Sequence, residues 1–487
     1  MYKLPHQSEW TFDILEDVQP EIKRAADSFG LDPYPYQLEI ITSDQMLDLY
    51  SDVGMPVSYN HWSKGMQRIS EERRYKQGHM GLAYEIIINS SPSIAYLMQN
   101  NTLAVQVLTI AHAIYGHGTF FKNNYLFREW TDAESIIDYL VFAKNYVAEC
   151  ERKYGIDAVE RILDSCHALE SHGVDRYKRP SKISMAEEKN RQKERAEYAQ
   201  SQVNDLWRTI PDNDKSPDKS PDKSFPESPQ ENILYFIEKH APNLETWQRE
   251  LVRIVRKIAQ YFYPQKQSQL INEGTATFWH YNILNKLYDN NVVGEGFMME
   301  FLQSHSGVVA QYPGRPINPY ALGFAMYQDI RRVSENPTEE DRKWLPHIAG
   351  KNWLENVDYA MRNFRDESFI SQYLSPKVIR DFHLFSVRDD DMDDMLEISA
   401  IHDDDGYQAI RNKMSDQYNL SLREPNIQVT HVDMRGDRTL TLTHTPHNGH
   451  SLNEHVEGMM LHLKRLWGLK VVLETQIDGD DYVWEED

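Results

Sequence analysis

The spacing of apolar positions predicts a chain that is mostly helical and contains a few short strands. Residues 38–43 and 84–89 are β-branched runs of strand length, and Ser-Ser-Pro closes the second run. A helix is expected from about Ser93, and residues 131–155 follow a helical period in which Glu149 continues an aromatic stripe. The pattern favours an α+β fold, predominantly helical, with one large mixed core domain.

The stretch 209–230 interrupts this pattern. Its sequence, TIPDNDKSPDKSPDKSFPESPQ, repeats Ser-Pro-Asp-Lys units and contains no side chains that would build a core. Prolines at this spacing remove the hydrogen bonds of helices and of strands. We expect a flexible linker here, inserted into a core domain that spans residues 1–425.

The C-terminal part, residues 426–487, is predicted to form a small module. Residues 427–434 and 439–443 alternate as strands around Arg-Gly-Asp-Arg, which is a hairpin signal. A helix follows that Gly468 ends, and residues 469–475 have the pattern of a strand. The predicted order of elements is β-hairpin, α-helix, β-strand.

Composition and charge limit the partners and the compartment. The formal net charge is −23 and the isoelectric point is about 5.3, which argues against nucleic acid or an anionic membrane as a partner, because both need a basic face. Only Cys150 and Cys166 are present, so a disulfide framework is excluded and a reducing cytosol is favoured. No stretch approaches 18 uninterrupted apolar residues. We therefore expect a cytoplasmic protein without a membrane span.

Two segments, residues 111–124 and 272–282, are unusually rich in functional side chains. Each places histidine beside aromatic and amide side chains, a mixture that is atypical of a simple core stripe or a solvent face. The segments lie on opposite sides of the predicted linker. If the two halves fold together, four side chains would converge on one site, and these are His112, His117, Glu273 and His280.

Glu273 and His280 are seven residues apart and therefore share one face of a predicted helix. Leu284 and Leu287 continue that face, so both polar groups are expected to be buried. A buried carboxylate or imidazole needs a partner. Two kinds of partner fit the sequence, an internal hydrogen-bond network and a metal ion.

His112 and His117 have a spacing that a regular α-helix does not align, because five residues turn the side chain by roughly 140°. They share a face only if the helix bulges or ends near Gly116. Ala113 occupies the position of the catalytic glutamate in HExxH, so the zincin motif is absent. The order of strand, two-histidine helix and distant Asn-Glu-Gly helix is still similar to that of gluzincins, at the level of the fold alone.

Four further residues are secondary candidates. Glu149 and His167 would complete a mixed histidine and carboxylate site, or are satisfied core residues. Asn123 and Asn124 are suited to orienting a polar substrate or to capping a helix end. The cysteines are expected to be buried small hydrophobes.

The chain resembles the stage V sporulation protein R (SpoVR) family in stretches that follow one another over nearly its whole length. Among them are residues 111–127 and 272–281, Asn318-Pro-Tyr-Ala-Leu-Gly-Phe-Ala-Met-Tyr and Asp433-Met-Arg-Gly-Asp-Arg-Thr-Leu. The others are residues 36–46, 54–56, 61–63, 81–89, 166–169 and 173–180.

The resemblance implies a link to the spore cortex, which is a peptidoglycan layer, and to stress or stationary-phase physiology in bacteria that do not sporulate. It also implies a serine protein kinase and a von Willebrand-type protein as partners. It supplies no established catalytic residues.

Two functions from different classes follow. The first is a metal-assisted hydrolase that acts on peptide or cell-wall precursor bonds, in which His112, His117, Glu273 and His280 hold a divalent ion such as zinc. Glu273 and His117 would be its catalytic groups. The second is a non-catalytic regulatory or scaffold protein that works with the kinase and the von Willebrand-type partner. Ligands within reach of one point, beside an open cleft, would favour the first.

Overall fold

The computed structural model describes most of the chain on both sides of the predicted linker. The described residues are 4, 9–52, 55–77, 84–176, 225–226, 228–312, 315–384, 386–388, 397–399, 403–446, 452, 456–477 and 480–486. Most of the predicted linker, residues 209–224 and 227, lies outside them.

Helices make up most of the described residues, as the apolar spacing predicts. Before the linker they are α1 (Phe12–Asp27), α2 (Ser43–Ser51), α3 (Trp62–Lys76), α4 (Leu103–Ile110), a π-helix (Ala111–Gly118), α5 (Thr119–Asn123), α6 (Tyr125–Trp130), α7 (Ile136–Tyr154), α8 (Ile156–Ala168) and a 3₁₀ turn (Glu170–His172). After it they are α9 (Ile233–His240), α10 (Thr246–Lys266), α11 (Gln269–Asp289), α12 (Glu295–Val308), α13 (Pro319–Glu335), α14 (Glu339–Trp344), α15 (Trp353–Asn363), α16 (Asp366–Tyr373), α17 (Pro376–Asp381), α18 (Asp404–Tyr418), α19 (Leu420–Arg423) and α20 (Val456–Trp467).

A three-stranded sheet lies in the N-terminal half, in the order β1 (Tyr36–Ile41), β3 (Ser93–Met98), β2 (Glu85–Ile88). The central strand pairs parallel with β1 and antiparallel with β2. The two predicted strands are confirmed, but the predicted helix from Ser93 is wrong. Alternate side chains of β3 are buried, which is the period of a strand, and the next helix begins only at Leu103.

Helix α7 buries a different stripe from the one that the aromatic residues predicted. Ile136, Leu140, Ala143, Val147 and Cys150 are buried, whereas Glu149 is exposed. The aromatic positions lie beside the buried stripe, so the prediction that Glu149 continues the apolar face is wrong.

The centre of the main core is α11, which packs against the π-helix on one side and α13 on another. Two glycine contacts make this close packing possible. A Cβ on Gly116 would lie 2.4 Å from the Cα of Ala276, and one on Gly274 would lie 2.6 Å from the Cα of Gly323. No side chain fits at such distances, so these glycines set how closely the three helices approach.

The C-terminal residues form a four-stranded sheet with α20 packed on it. The order is β6 (Ile427–Val432), β7 (Leu440–His444), β8 (Val471–Ile477), β9 (Asp480–Glu486), with β7 and β8 parallel and the other pairs antiparallel. The predicted hairpin, helix and strand are confirmed, and β9 is an additional strand. A two-stranded pair, β4 (Ser386–Arg388) with β5 (Glu397–Ser399), precedes this sheet.

The C-terminal sheet shares a hydrophobic core with helices of the main domain. Its buried side chains pack in one cluster with those of α7, α8, α9 and α10. Gln230, at the end of the predicted linker, exchanges two backbone hydrogen bonds with Val429 of β6. Among the helices that the structure describes, none is both long and apolar enough to cross a bilayer.

Candidate functional site

The π-helix places His112 and His117 on one side of the chain. Its hydrogen bonds run from residue i to i+5, so each turn holds about one residue more than in an α-helix and side chains five residues apart come much closer to one face. The two imidazole centroids are 4.6 Å apart, and the rings are nearly perpendicular. Both side chains are buried. The bulge that the sequence required for alignment is therefore present.

Helix α11 brings Glu273 to these histidines from the other side of the linker. The Oε2 atom of Glu273 lies 3.5 Å from Nε2 of His117 and 3.8 Å from Nε2 of His112. The three groups offer ligand atoms that all lie within 4.8 Å of one another. Glu273 Oε2 is buried and makes no hydrogen bond of ordinary geometry, although the carboxylate interacts with the hydroxyl of Tyr320 and the imidazole of His112.

Asn272 fixes which nitrogen of His117 carries the proton. Its Oδ1 lies 2.8 Å from His117 Nδ1, and an amide oxygen only accepts, so Nδ1–H donates. The neutral ring then presents the lone pair of Nε2 to Glu273 Oε2. Two lone pairs that face each other at 3.5 Å repel unless a cation lies between them.

His112 is held by a chain of buried imidazoles. Its Nδ1 lies 2.8 Å from Nδ1 of His280, and Nε2 of His280 lies 2.8 Å from Nδ1 of His305 on α12. Both nitrogens of His280 are thus used within this chain, and its ring does not face the Glu273 carboxylate. His280 was predicted as a fourth ligand, and the structure places it behind His112 instead.

The charges of the cluster shift its pKa values in opposite directions. Burial lowers the pKa of His117, although Glu273 acts against this. Burial alone would lower the pKa of His112, but the carboxylates of Glu273 and Glu85 outweigh it and raise that pKa. Burial opposes ionisation of Glu273, yet the two imidazoles hold its pKa below the usual value. The cluster therefore favours an ionised carboxylate beside His117 in its neutral form.

Three neighbours of the cluster were not predicted from the sequence. Glu85 on β2 lies 3.7 Å from Nε2 of His112, and burial raises its pKa to about 7. Tyr320, the second residue of α13, stacks near His112 with a centroid distance of 6.4 Å. A carboxylate in the apolar run Tyr84-Glu-Ile-Ile-Ile was a usable signal for Glu85. The single histidine of α12, His305, had none.

An open cleft of about 480 Å³ reaches one side of the cluster. Asn272 and Glu273 are among the residues that line it, together with Tyr59, Lys64 and His167. Its wall also contains apolar side chains, among them Phe121, Leu140, Ile258 and Phe262. A molecule bound in this cleft would have direct access to the Glu273 carboxylate.

The secondary candidates take other places. His167 lines the cleft, where its Nε2 lies 2.7 Å from the hydroxyl of Tyr59. The exposed Glu149 lies outside the cluster. Asn123 donates to the carbonyls of Asp32 and Thr119.

Asn124 caps α6, and its amide group also donates to two carbonyls near α15. Asn124 therefore stabilises the backbone of two helices. This agrees with the prediction that it caps a helix end, and not with the prediction that it orients a substrate. Cys150 and Cys166 are free and buried, and burial raises the pKa of both thiols, which confirms that they are small core residues.

Comparison with known proteins covers nearly the whole chain. The family described as "SpoVR like protein" matches residues 9–423, and the "SpoVR-like C-terminal domain" matches residues 425–478. A protein of Escherichia coli (strain K12) with the name "Uncharacterized protein YcgB" is 60% identical over 479 residues, which are 97% of this chain and 94% of that protein. No solved structure matches the chain. The chain belongs to the SpoVR family, with the family's C-terminal domain at its end.

Proposed function

We propose that His112, His117 and Glu273 bind one divalent metal ion, and that this centre hydrolyses a substrate held in the adjoining cleft. The observation that carries the proposal is the convergence of the buried Glu273 Oε2 with the Nε2 atoms of His117 and His112. Atoms that share a tetrahedral ion at about 2.1 Å lie roughly 3.4 Å from one another. The distances of 3.5 and 3.8 Å are close to that spacing.

The supporting residues fit the same assignment. Metal-bound histidines usually donate their second N–H to a carbonyl or carboxylate group, as His117 does to Asn272. His280 and His305 hold His112 in a corresponding way. We place His280 in this supporting role and not among the ligands.

Two histidines and one carboxylate are the ligand set of several hydrolytic zinc sites, and they leave a position open for water. The same three groups also suit non-haem iron. An ion bound there would supply an activated water molecule. Glu85, whose carboxylate lies 3.7 Å from Nε2 of His112, would be the general base beside such an ion, which is the role that Ala113 cannot play. Peptide and cell-wall precursor bonds are the proposed targets.

Elemental analysis of the purified full-length protein tests this assignment. We expect about one equivalent of a divalent metal in the wild type, and less than a tenth of that in His117→Ala and in Glu273→Ala. His167→Ala is the matched control, because His167 lines the same cleft but lies outside the cluster. A wild type without metal, or equal metal in all four proteins, would contradict the proposal.

A scaffold role with a serine protein kinase and a von Willebrand-type protein is the second proposal. Its support is α3, which exposes Trp62, Met66 and Ile69 at helical spacing and buries no side chain among the described residues. Met66→Glu with Ile69→Glu should abolish co-purification with such partners and leave metal content unchanged. Partner binding that survives both substitutions would count against this surface.

A further inference from the structure

A second cavity, also of about 480 Å³, is lined by Lys266, Arg315 and Arg423. Three cations around one cavity are notable in a chain whose net charge is −23. Among the residues that the structure describes, neither guanidinium forms an ion pair or a side-chain hydrogen bond. Arg423 interacts electrostatically with Glu424 at longer range, and both guanidinium groups keep their hydrogen-bond donors available for an anion.

The acidic group in this cavity is already engaged. Asp366 accepts hydrogen bonds from the backbone N–H groups of Leu270 and Ile271, at 3.0 and 2.9 Å, and so caps the first turn of α11. Glu170 lies 3.8 Å from Lys266 in a pair that is half exposed, and Glu424, which interacts electrostatically with Lys266 and Arg423, is paired with Arg176 at 2.8 Å. The cavity therefore keeps a surplus of positive charge.

The second cavity adjoins the cleft of the proposed metal centre. Lys266 and Gln269 line both cavities. Gln269 precedes Glu273 by four residues on α11, which is about 6 Å along the helix axis. An anion in the second cavity would thus lie one to two helical turns from the proposed ligand Glu273.

We infer that the second cavity binds a phosphate group of the substrate whose bond is cleaved at Glu273. Two guanidinium groups and one ammonium group match a tetrahedral dianion in charge, and guanidinium groups bind its oxygens in pairs. The inference rests on the proposed hydrolytic function, because that function supplies the bond that is cleaved at the other end of the substrate. The substrate would then be a phosphorylated molecule. Its phosphate would lie in the second cavity, and the bond to be cleaved would lie in the cleft beside Glu273.

Calorimetric titration of inorganic phosphate into the full-length, metal-free protein tests the inference. We expect Arg315→Gln with Arg423→Gln to weaken phosphate binding at least tenfold. The control is Arg128→Gln with Arg342→Gln, which removes the same charge from exposed positions outside both cavities and should change the affinity less than twofold. Phosphoethanolamine should bind at least as tightly as free phosphate.

No phosphate binding by the wild type, or equal loss in the two double variants, would overturn the inference. Exclusion of the monoester would overturn it as well, since the cavity would then accept only free phosphate. Because the titration uses metal-free protein, it is independent of the metal assignment. Phosphate binding together with a wild type that holds no metal would refute the hydrolytic centre and leave the basic cavity in place.

Discussion

At the scale of single residues, the proposed centre depends on where protons sit. Asn272 compels His117 to carry its proton on Nδ1, so that Nε2 presents a lone pair to Glu273. Asn272 and Glu273 are adjacent in the sequence. One turn of helix α11 therefore supplies both the proposed ligand Glu273 and the amide group that orients His117. The sequence could not show the pairing with His117, because it depends on the close approach of two distant helices.

Asn272→Leu should weaken metal binding by about 10- to 100-fold without removing a ligand, because His117 loses the group that fixes its tautomer. Competition with a chelator of known affinity measures this change. Asn285→Leu is the control on the same helix, since Asn285 donates to the carbonyl of Tyr281 in its own helix and is not among the three proposed ligands. Equal affinities for Asn272→Leu and Asn285→Leu would contradict the orienting role.

Buried histidines outside the centre should make the protein acid-sensitive. Burial lowers the pKa of His172 from 6.5 to about 4, and the positive charge of Arg176 acts in the same direction. A lowered pKa means that the stability contribution is complete above pH 6.5 and is lost as the pH falls towards 4. For this residue the loss between pH 7.5 and pH 5 is about 2 kcal/mol.

His172→Gln should therefore lose less stability than the wild type when the pH is lowered from 7.5 to 5. Urea unfolding at the two pH values gives the difference for each protein, so any cost of the substitution itself cancels. An identical pH dependence in both proteins would show that His172 does not titrate between these limits.

At the scale of elements, the spacing of apolar residues predicts most helices and strands, with two exceptions, the π-helix and β3. The sequence does not predict the π-helix itself. It predicts only that His112 and His117 share a face if the helix bulges or ends near Gly116. The prediction of a helix from Ser93 is wrong because the run Ser-Ile-Ala-Tyr-Leu-Met has no decisive period, and these residues form β3. Its strand conformation follows from the partners on both edges, which lie far away in the sequence.

Gly116→Ala should separate the π-helix from α11 and so damage the centre. Its Cβ would meet the backbone of Ala276, which cannot move aside as a flexible side chain can. We expect a cost of at least about 2 kcal/mol in unfolding free energy, with loss of metal. Gly65→Ala on α3 is the control, because its Cβ would enter open space, and alanine there should be neutral or stabilising by up to about 1 kcal/mol.

Chemical denaturation with metal analysis distinguishes the two glycine variants. If Gly116→Ala were as stable as the wild type and kept its metal, the close contact between the helices would not be what positions the ligands.

At the scale of the whole molecule, the sequence predicts that residues 111–124 and 272–282 converge across the linker. The structure brings three of the four predicted side chains together, namely His112, His117 and Glu273. The fourth, His280, shares the buried face but turns to other histidines. Sequence periodicity gives the face of a helix and not the direction of each ring, so this distinction was out of reach. A cytoplasmic location and the links to cortex and stress stay predictions.

The C-terminal module should unfold together with the main domain. Trp467 of α20 is buried, donates its indole N–H to the carbonyl of Arg438, and stacks 6.2 Å from Phe236 of α9. Trp467→Ala should cost about 3–5 kcal/mol and lower a single thermal transition. Leu461→Ala, at an exposed position of the same helix, should change the stability by less than about 0.5 kcal/mol.

Two separate transitions, with only one shifted by Trp467→Ala, would show that residues 426–487 fold independently. In that case the shared hydrophobic core would not link the module to the helices that surround the site.

The location of the metal tests the central claim most directly. Crystals of the full-length protein, measured at the absorption edge of the metal found by elemental analysis, should show one anomalous peak. The claim predicts this peak within about 2.3 Å of His112 Nε2, His117 Nε2 and Glu273 Oε2. A peak elsewhere, or no peak with Glu273 Oε2 hydrogen-bonded directly to an imidazole, would contradict it.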